Sequence, residues 1–205
     1  MTQLPKKVVL SVKPDRYLSQ GLNNCGLFSI KGILSAYGLD HKEDPREYHS
    51  NLFSRLTGIT FGRNYYKDIL EFYGVDSEMR FAENLKDEVR LDLLKELLSK
   101  DKPVMIRIGN GYFKSDKYNP ILGKLIPHLI TLWGYDDEKR IFYVYDSGLT
   151  PDLYDKNVPI GNTKRTYEEM LRDWNFGKMQ PWAWVVTGPH NFAYTNIKGA
   201  KNGRG

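Results

Sequence analysis

The sequence predicts an α+β fold, with a helical N-terminal half packed on an antiparallel sheet in the C-terminal half. Three observations predict it. Apolar residues recur at helical spacing up to about residue 100. Past Lys102-Pro103 the apolar runs become short and strand-like. Two of those runs flank the turn Asp136-Asp137-Glu138-Lys139, which is the pattern of a hairpin. Helices and strands segregated in this way pack side by side and leave a cleft between the two parts. The 205 residues suffice for one well-buried core or two lobes around a cleft. We expect a single domain over 1–189, helical over about 20–100 and sheet over about 102–188.

The elements follow in order. Lys7 to Val12 reads as a short strand leading into the loop that carries Gln20. Leu27, Ile30, Leu34 and Tyr37 mark a helix that Gly38 stops. Pro45 opens a second helix through Tyr48, Leu52 and Leu56, ended by Thr57-Gly58. A third runs from Asn64 to Tyr73, with Gly74 after it. Ser77 to Phe81 is a short strand. Val89, Leu93, Leu94, Leu97 and Leu98 mark a fourth helix. Val104 to Ile108 is a strand, and Gly109 to Pro127 reads as a long irregular connection. His128 to Tyr135 and Ile141 to Tyr145 form the hairpin. A loop rich in Pro, Asp and Gly reaches Thr166. A short helix follows from Tyr167 to Trp174, then a last strand from Trp182 to Thr187.

Composition bounds the function. Thirty Lys and Arg against 25 Asp and Glu give a net charge of +5, with the signs interleaved along the chain. That describes a solvated surface rather than a nucleic-acid footprint. The exception is the acid-free tail from His190 to Gly205, with Lys198, Lys201 and Arg204, which reads as a loosely held end. No apolar run approaches a membrane span, and within Met1 to Leu10 the apolar run Val8-Val9-Leu10 is too short for a signal-peptide core. The expected location is cytoplasmic, or secreted if a signal segment has been removed. One cysteine excludes a disulfide scaffold. His41 and His49 have no metal-ligand partner at a useful spacing and read as surface histidines. No cofactor or metal is expected.

That one cysteine, Cys25, opens the first helix. A thiol in a first helical turn meets unpaired N–H groups and the positive end of the helix dipole, both of which favour a thiolate. Asn23 or Asn24 can cap the helix start. Gln20, five residues upstream, offers a neutral N–H donor for a developing oxyanion. Thiol catalysis further needs a histidine and a group to orient it. The hairpin supplies both at its open end, where His128 begins one strand and Asp146 ends the other. Taken singly, each has an ordinary explanation: an inert buried thiol, a histidine beside a strand, a turn aspartate. Their order and spacing together point to nucleophilic chemistry.

That order resembles a known family. Gln20…Asn24-Cys25-Gly26, His128-Leu129-Ile130-Thr131-Leu132-Trp133-Gly134-Tyr135-Asp136 and Tyr143-Val144-Tyr145-Asp146 are similar to the papain-like cysteine peptidases of the bacteriocin-processing, double-glycine leader type. Lys102-Pro103-Val104 and Tyr167-Glu168-Glu169 before Trp174 extend the resemblance over roughly Gln20 to Val186. It implies a papain-like fold and a peptide or protein substrate. It also implies Cys25 as nucleophile, His128 as general base and acid, Asp146 as its orienting group, and Gln20 as oxyanion donor with the Cys25 N–H. Asn24, Arg107, Tyr112 and Trp133 are the candidates for substrate contact, with Phe113 and Tyr118 beside them in the long connection. Leu27 follows Cys25-Gly26 where stand-alone relatives often carry Pro. Exporter-linked members add a membrane region and an ATPase that these residues do not contain.

Peptide hydrolysis, amide transfer and deamidation share the same acylation step. They stay open at this point, as do a binding protein that has kept the fold without the catalysis and the catalytic domain of a secreted toxin or effector.

Overall fold

The computed structural model describes residues 4–21, 23–60, 62, 64–82, 85–112, 115 and 117–175, together with the backbone of a strand at 182–186. The expected tail at 190–205 and Phe113 lie outside the described residues.

The antiparallel sheet is built from β1 (Lys7–Val9), β2 (Ser77–Phe81), β3 (Val104–Gly109), β4 (Pro127–Asp136), β5 (Ile141–Tyr145), β6 (Thr163–Thr166) and β7 (Trp182–Val186). Their order is β2-β7-β3-β4-β5-β6. β1 adds to β4 beyond the end of β3: Val9 pairs with Gly134, while the β3 pairing stops at Leu132. The helices are α1 (Cys25–Ala36), α2 (Leu52–Thr57), α3 (Tyr65–Phe72), α4 (Asp87–Ser99), α5 (Pro120–Leu125) and α6 (Tyr167–Trp174).

α1 is buried on nearly every side, because β4, α3 and the 3-10 turn Pro45–Tyr48 all pack against it. Leu27, Ile30, Ile33 and Leu34 are fully buried, each contributing roughly 1.5–3 kcal/mol of apolar burial. Gly32 lets the helix approach β5, since a Cβ there would sit 3.1 Å from the Tyr145 ring. That tyrosine in turn fixes the Gln20 loop: its hydroxyl donates to the Leu18 carbonyl at 2.9 Å and accepts from the Leu18 N–H at 3.2 Å. The packing of α1 therefore sets the distance between Cys25 and the hairpin.

The expected elements form, with four differences. The second helix is broken into the 3-10 turn and α2, because His49 is drawn inward between them and Asn51 starts a new cap on the Ser54 N–H. The long connection after β3 contains α5, with Pro120 in its first turn and Asn119 accepting from the Ile121 and Leu122 N–H groups. The loop before α6 contains β6, a four-residue strand of polar residues that alternation alone does not mark. On α4 the buried face is Leu91, Leu94, Leu97 and Leu98, whereas Val89 is exposed.

β4 changes register between Leu132 and Gly134, and β1 passes close over that irregularity. A Cβ at Gly134 would lie 2.3 Å from the Val8 carbonyl oxygen. Gly134→Ala is expected to lower stability by roughly 1–3 kcal/mol, the cost of overpacking a closely packed site. Urea unfolding checks this, and an unchanged midpoint would show that β1 is not held against β4.

Candidate active site

Four residues singled out in the sequence converge where the start of α1 meets the open end of the β4–β5 hairpin. Cys25 is the first residue of α1 and half-buried. Asn24 precedes it in the left-handed region, at φ 73°, and its carbonyl accepts from the Leu27 and Phe28 N–H groups. The helix thus begins abruptly at the thiol. The first turn carries no acidic side chain, so nothing there opposes a thiolate.

His128 is fully buried and hydrogen-bonds to the Cys25 thiol. Its Nε2 lies 2.7 Å from Asp146 Oδ1, which leaves the other ring nitrogen to meet the sulfur. Asp146, equally buried, is held on every side. Its Oδ2 accepts from Arg165 Nη2 at 2.9 Å and its Oδ1 from the Gly148 N–H at 2.8 Å. Asn162 clamps its backbone, accepting from the Asp146 N–H and donating to the Asp146 carbonyl.

The electrostatics follow from these contacts. Burial pushes the Cys25 thiol up. The His128 hydrogen bond and charge and the Leu129 and Gly26 N–H groups outweigh it, so the thiol titrates below its ordinary value. Burial opposes a charge on His128, but Asp146 and the thiol raise its pKa well above the ordinary imidazole value. Burial would raise Asp146, yet His128, Arg165 and the Gly148 N–H hold it well below the usual carboxylate range. The favoured state is a thiolate–imidazolium pair facing an ionised aspartate.

Gln20 is buried at the same junction. Its N–H donates to the Ser147 carbonyl at 2.8 Å, and its Oε1 accepts from Ser147 Oγ at 2.6 Å. With the amide oxygen engaged, its Nε2 is the group left to donate. Glycine at position 26 is required by Tyr66, whose ring would lie 2.2 Å from a Cβ there. The Tyr66 hydroxyl also bonds to Thr60, and its electrostatic neighbours include Cys25 and Arg107.

The other candidates divide. Arg107 lies half-buried on β3 opposite Leu129, with Tyr66 and Cys25 as its electrostatic neighbours. Asn24 makes no side-chain cap. Its side chain turns away from the helix, with Oδ1 2.8 Å from His49 Nε2, and so steadies the turn before Cys25. Tyr112 donates to Glu169, and its ring lies under the Arg165 guanidinium at 4.0 Å, so it braces Arg165. Trp133 is corrected outright: it is fully buried in the core at the β4 irregularity and can touch no substrate.

His49 is also corrected, from the surface to the interior. It bridges Asn24 and the Tyr65 hydroxyl, the latter at 2.7 Å. Sequence reasoning missed Arg165, Asn162, Ser147 and His49. The one available signal was Ser147-Gly148 following Asp146, a turn whose N–H returns to the carboxylate.

A family model, described as the Peptidase_C39 like family, matches residues 8–175. The chain belongs to the Peptidase_C39 like family. With that family it is a cysteine peptidase. Two solved structures similar to this family member are a double glycine motif protease from an AMS/PCAT transporter in complex with the leader peptide, and xylellain, a cysteine protease from Xylella fastidiosa. The first is 15% identical with a TM-score of 0.49, covering 88% of this chain and 99% of that one. The second is 18% identical with a TM-score of 0.47, covering 91% and 87%. No curated protein sequence matches the chain. Among the described residues, no helix is long and apolar enough to cross a membrane.

The buried His49 sets an acid limit on this family member. Burial lowers its pKa from 6.5 to about 4. A group with a depressed folded pKa binds protons more readily when unfolded. Its contribution to stability is therefore complete above about 6.5 and is lost as pH falls through about 4. His49→Gln keeps a donor for Asn24 and does not titrate. The variant is expected to lose less stability than the parent between pH 7 and pH 4 in urea unfolding. Parallel losses would show that His49 does not titrate on unfolding.

Proposed function

We propose that Cys25, His128, Asp146 and Gln20 carry out peptide-bond hydrolysis through an acyl-enzyme. The single observation behind this reading is that His128 bonds both the Cys25 thiol and a fully buried, ionised Asp146. The thiolate attacks the substrate carbonyl and forms the C–S bond. The carbonyl oxygen gains negative charge, which Gln20 Nε2 and the Cys25 N–H receive. Protonated His128 passes its proton to the amine as the C–N bond breaks, leaving a thioester. Neutral His128 then takes a proton from water, the hydroxide attacks the thioester, and the thiolate is released with His128 protonated again. Asp146 keeps the imidazole oriented and offsets its charge throughout.

The substrate in this reading is an extended peptide. The Tyr66 ring over Gly26 crowds the nucleophile's turn, which suits small residues at the bond cleaved, and a double-glycine leader is one such peptide. Amide transfer and deamidation would begin with the same acylation and differ in the product released.

The test is new peptide termini, read by mass spectrometry after the chain is incubated with a tryptic peptide mixture. Cleavage is expected with the parent and none with Cys25→Ala. Gln20→Ala is expected to lower kcat by roughly 10²–10³, as other oxyanion-donor deletions do. Asp146→Asn should cost less than His128→Ala, and adding it to His128→Ala should cost almost nothing more, since groups acting as one unit are non-additive. Termini that appear equally with Cys25→Ala would contradict the assignment.

A further inference from the structure

We propose that Arg107 forms an anion subsite beside the nucleophile, selecting peptides that carry a carboxylate close to the bond cleaved. This rests on Cys25 being the reactive thiol, as above. Arg107 is on β3 in register with Leu129, the residue after His128, and the Leu129 N–H bonds the Cys25 thiol. The guanidinium is half-buried, with Tyr66 and Cys25 as its electrostatic neighbours.

Its pairing differs from that of the other buried or partly buried arginines. Arg90 pairs with Asp87, Arg165 with Asp146 and Arg172 with Asp173. Among the described residues, no carboxylate pairs with Arg107. A partly desolvated cation is costly unless an anion offsets it. In the resting state the Cys25 thiolate is that anion. Acylation turns the thiolate into a neutral thioester and removes the charge. A substrate carboxylate would then replace it, and the planar fork of a guanidinium matches a carboxylate in two parallel hydrogen bonds. An aspartate or glutamate side chain near the scissile bond has this chemistry, as does the terminal carboxylate of a short peptide.

Two alkylating agents separate this role from simple support of the thiolate. Iodoacetate carries a carboxylate one bond from its reacting carbon, and iodoacetamide is its neutral counterpart. The ratio of their Cys25 labelling rates should exceed that for free cysteine. It should fall about tenfold in Arg107→Gln, the size expected for loss of one charge-assisted hydrogen-bonded contact. Arg107→Lys should retain most of it. A ratio unchanged in Arg107→Gln, with both rates lowered together, would overturn the subsite and leave Arg107 acting on the thiolate alone. Failure of the underlying reading looks different: iodoacetamide would then label Cys25 only as fast as an ordinary thiol. If Arg107→Gln does not fold, peptides matched except for Glu or Gln beside the cleaved bond decide the matter on the parent chain. A higher kcat/KM for the Glu peptide is expected, and equal values would overturn the proposal.

Discussion

The site depends on one carboxylate. Asp146 is almost wholly inaccessible, and an isolated buried carboxylate would cost several kcal/mol or would protonate. It stays ionised because two cationic side chains and a backbone N–H meet it: His128, Arg165 and Gly148. Each of these is positioned by a different element. β4 brings His128, β6 brings Arg165, and the turn after β5 brings Gly148. The Arg165 guanidinium sits over the Tyr112 ring, and Tyr112 is tied to Glu169, which also closes the capping box at the start of α6. A carboxylate that faces Arg165 as well as His128 gives up less of its charge to the imidazole. In the proposed reaction, that would leave the ring able to release its proton when the amine departs.

The thiol side rests on a second arrangement. α1 follows a left-handed residue, Asn24, whose strained backbone is held by its side chain, which accepts from His49 Nε2 and donates to Asn23 Oδ1. This abrupt start turns the Gly26 N–H toward the sulfur, while the Leu27 and Phe28 N–H groups close on the Asn24 carbonyl. The Gln20 loop is joined to the hairpin by Ser147 and Tyr145, so Gln20 and Asp146 share one rigid support. The two arrangements meet at the hydrogen bond between Cys25 and His128.

Most of this framework could be read from local pattern. α1, α3, α6 and the β4–β5 hairpin are marked by apolar period, by glycine after the helices and by the charged turn. A hairpin with its turn at Asp136–Lys139 must bring His128 and Asp146 together at the open end, and it does. The parts that escaped depend on contacts distant in sequence. Arg165 and Asn162 act on Asp146 from a short polar strand with no apolar alternation. His49 looked like a surface residue because its neighbours are charged, yet Asn24 and Tyr65 draw it inside. Trp133 sits in a motif beside the histidine, but β4 is covered on both faces and Trp133 lies in the core. By residue type Asn23 or Asn24 can cap α1, but the left-handed backbone of Asn24 sends its side chain elsewhere.

The central claim is that burial and contact make Cys25 and His128 a thiolate–imidazolium pair. The rate of Cys25 alkylation by iodoacetamide as a function of pH tests it most directly, because it needs no substrate. The account predicts a rate that stays substantial far below the pKa of an ordinary thiol, about 8.5, and a profile in His128→Ala that moves up toward that value. A parent profile that tracks an ordinary thiol, or one that His128→Ala leaves in place, would contradict it.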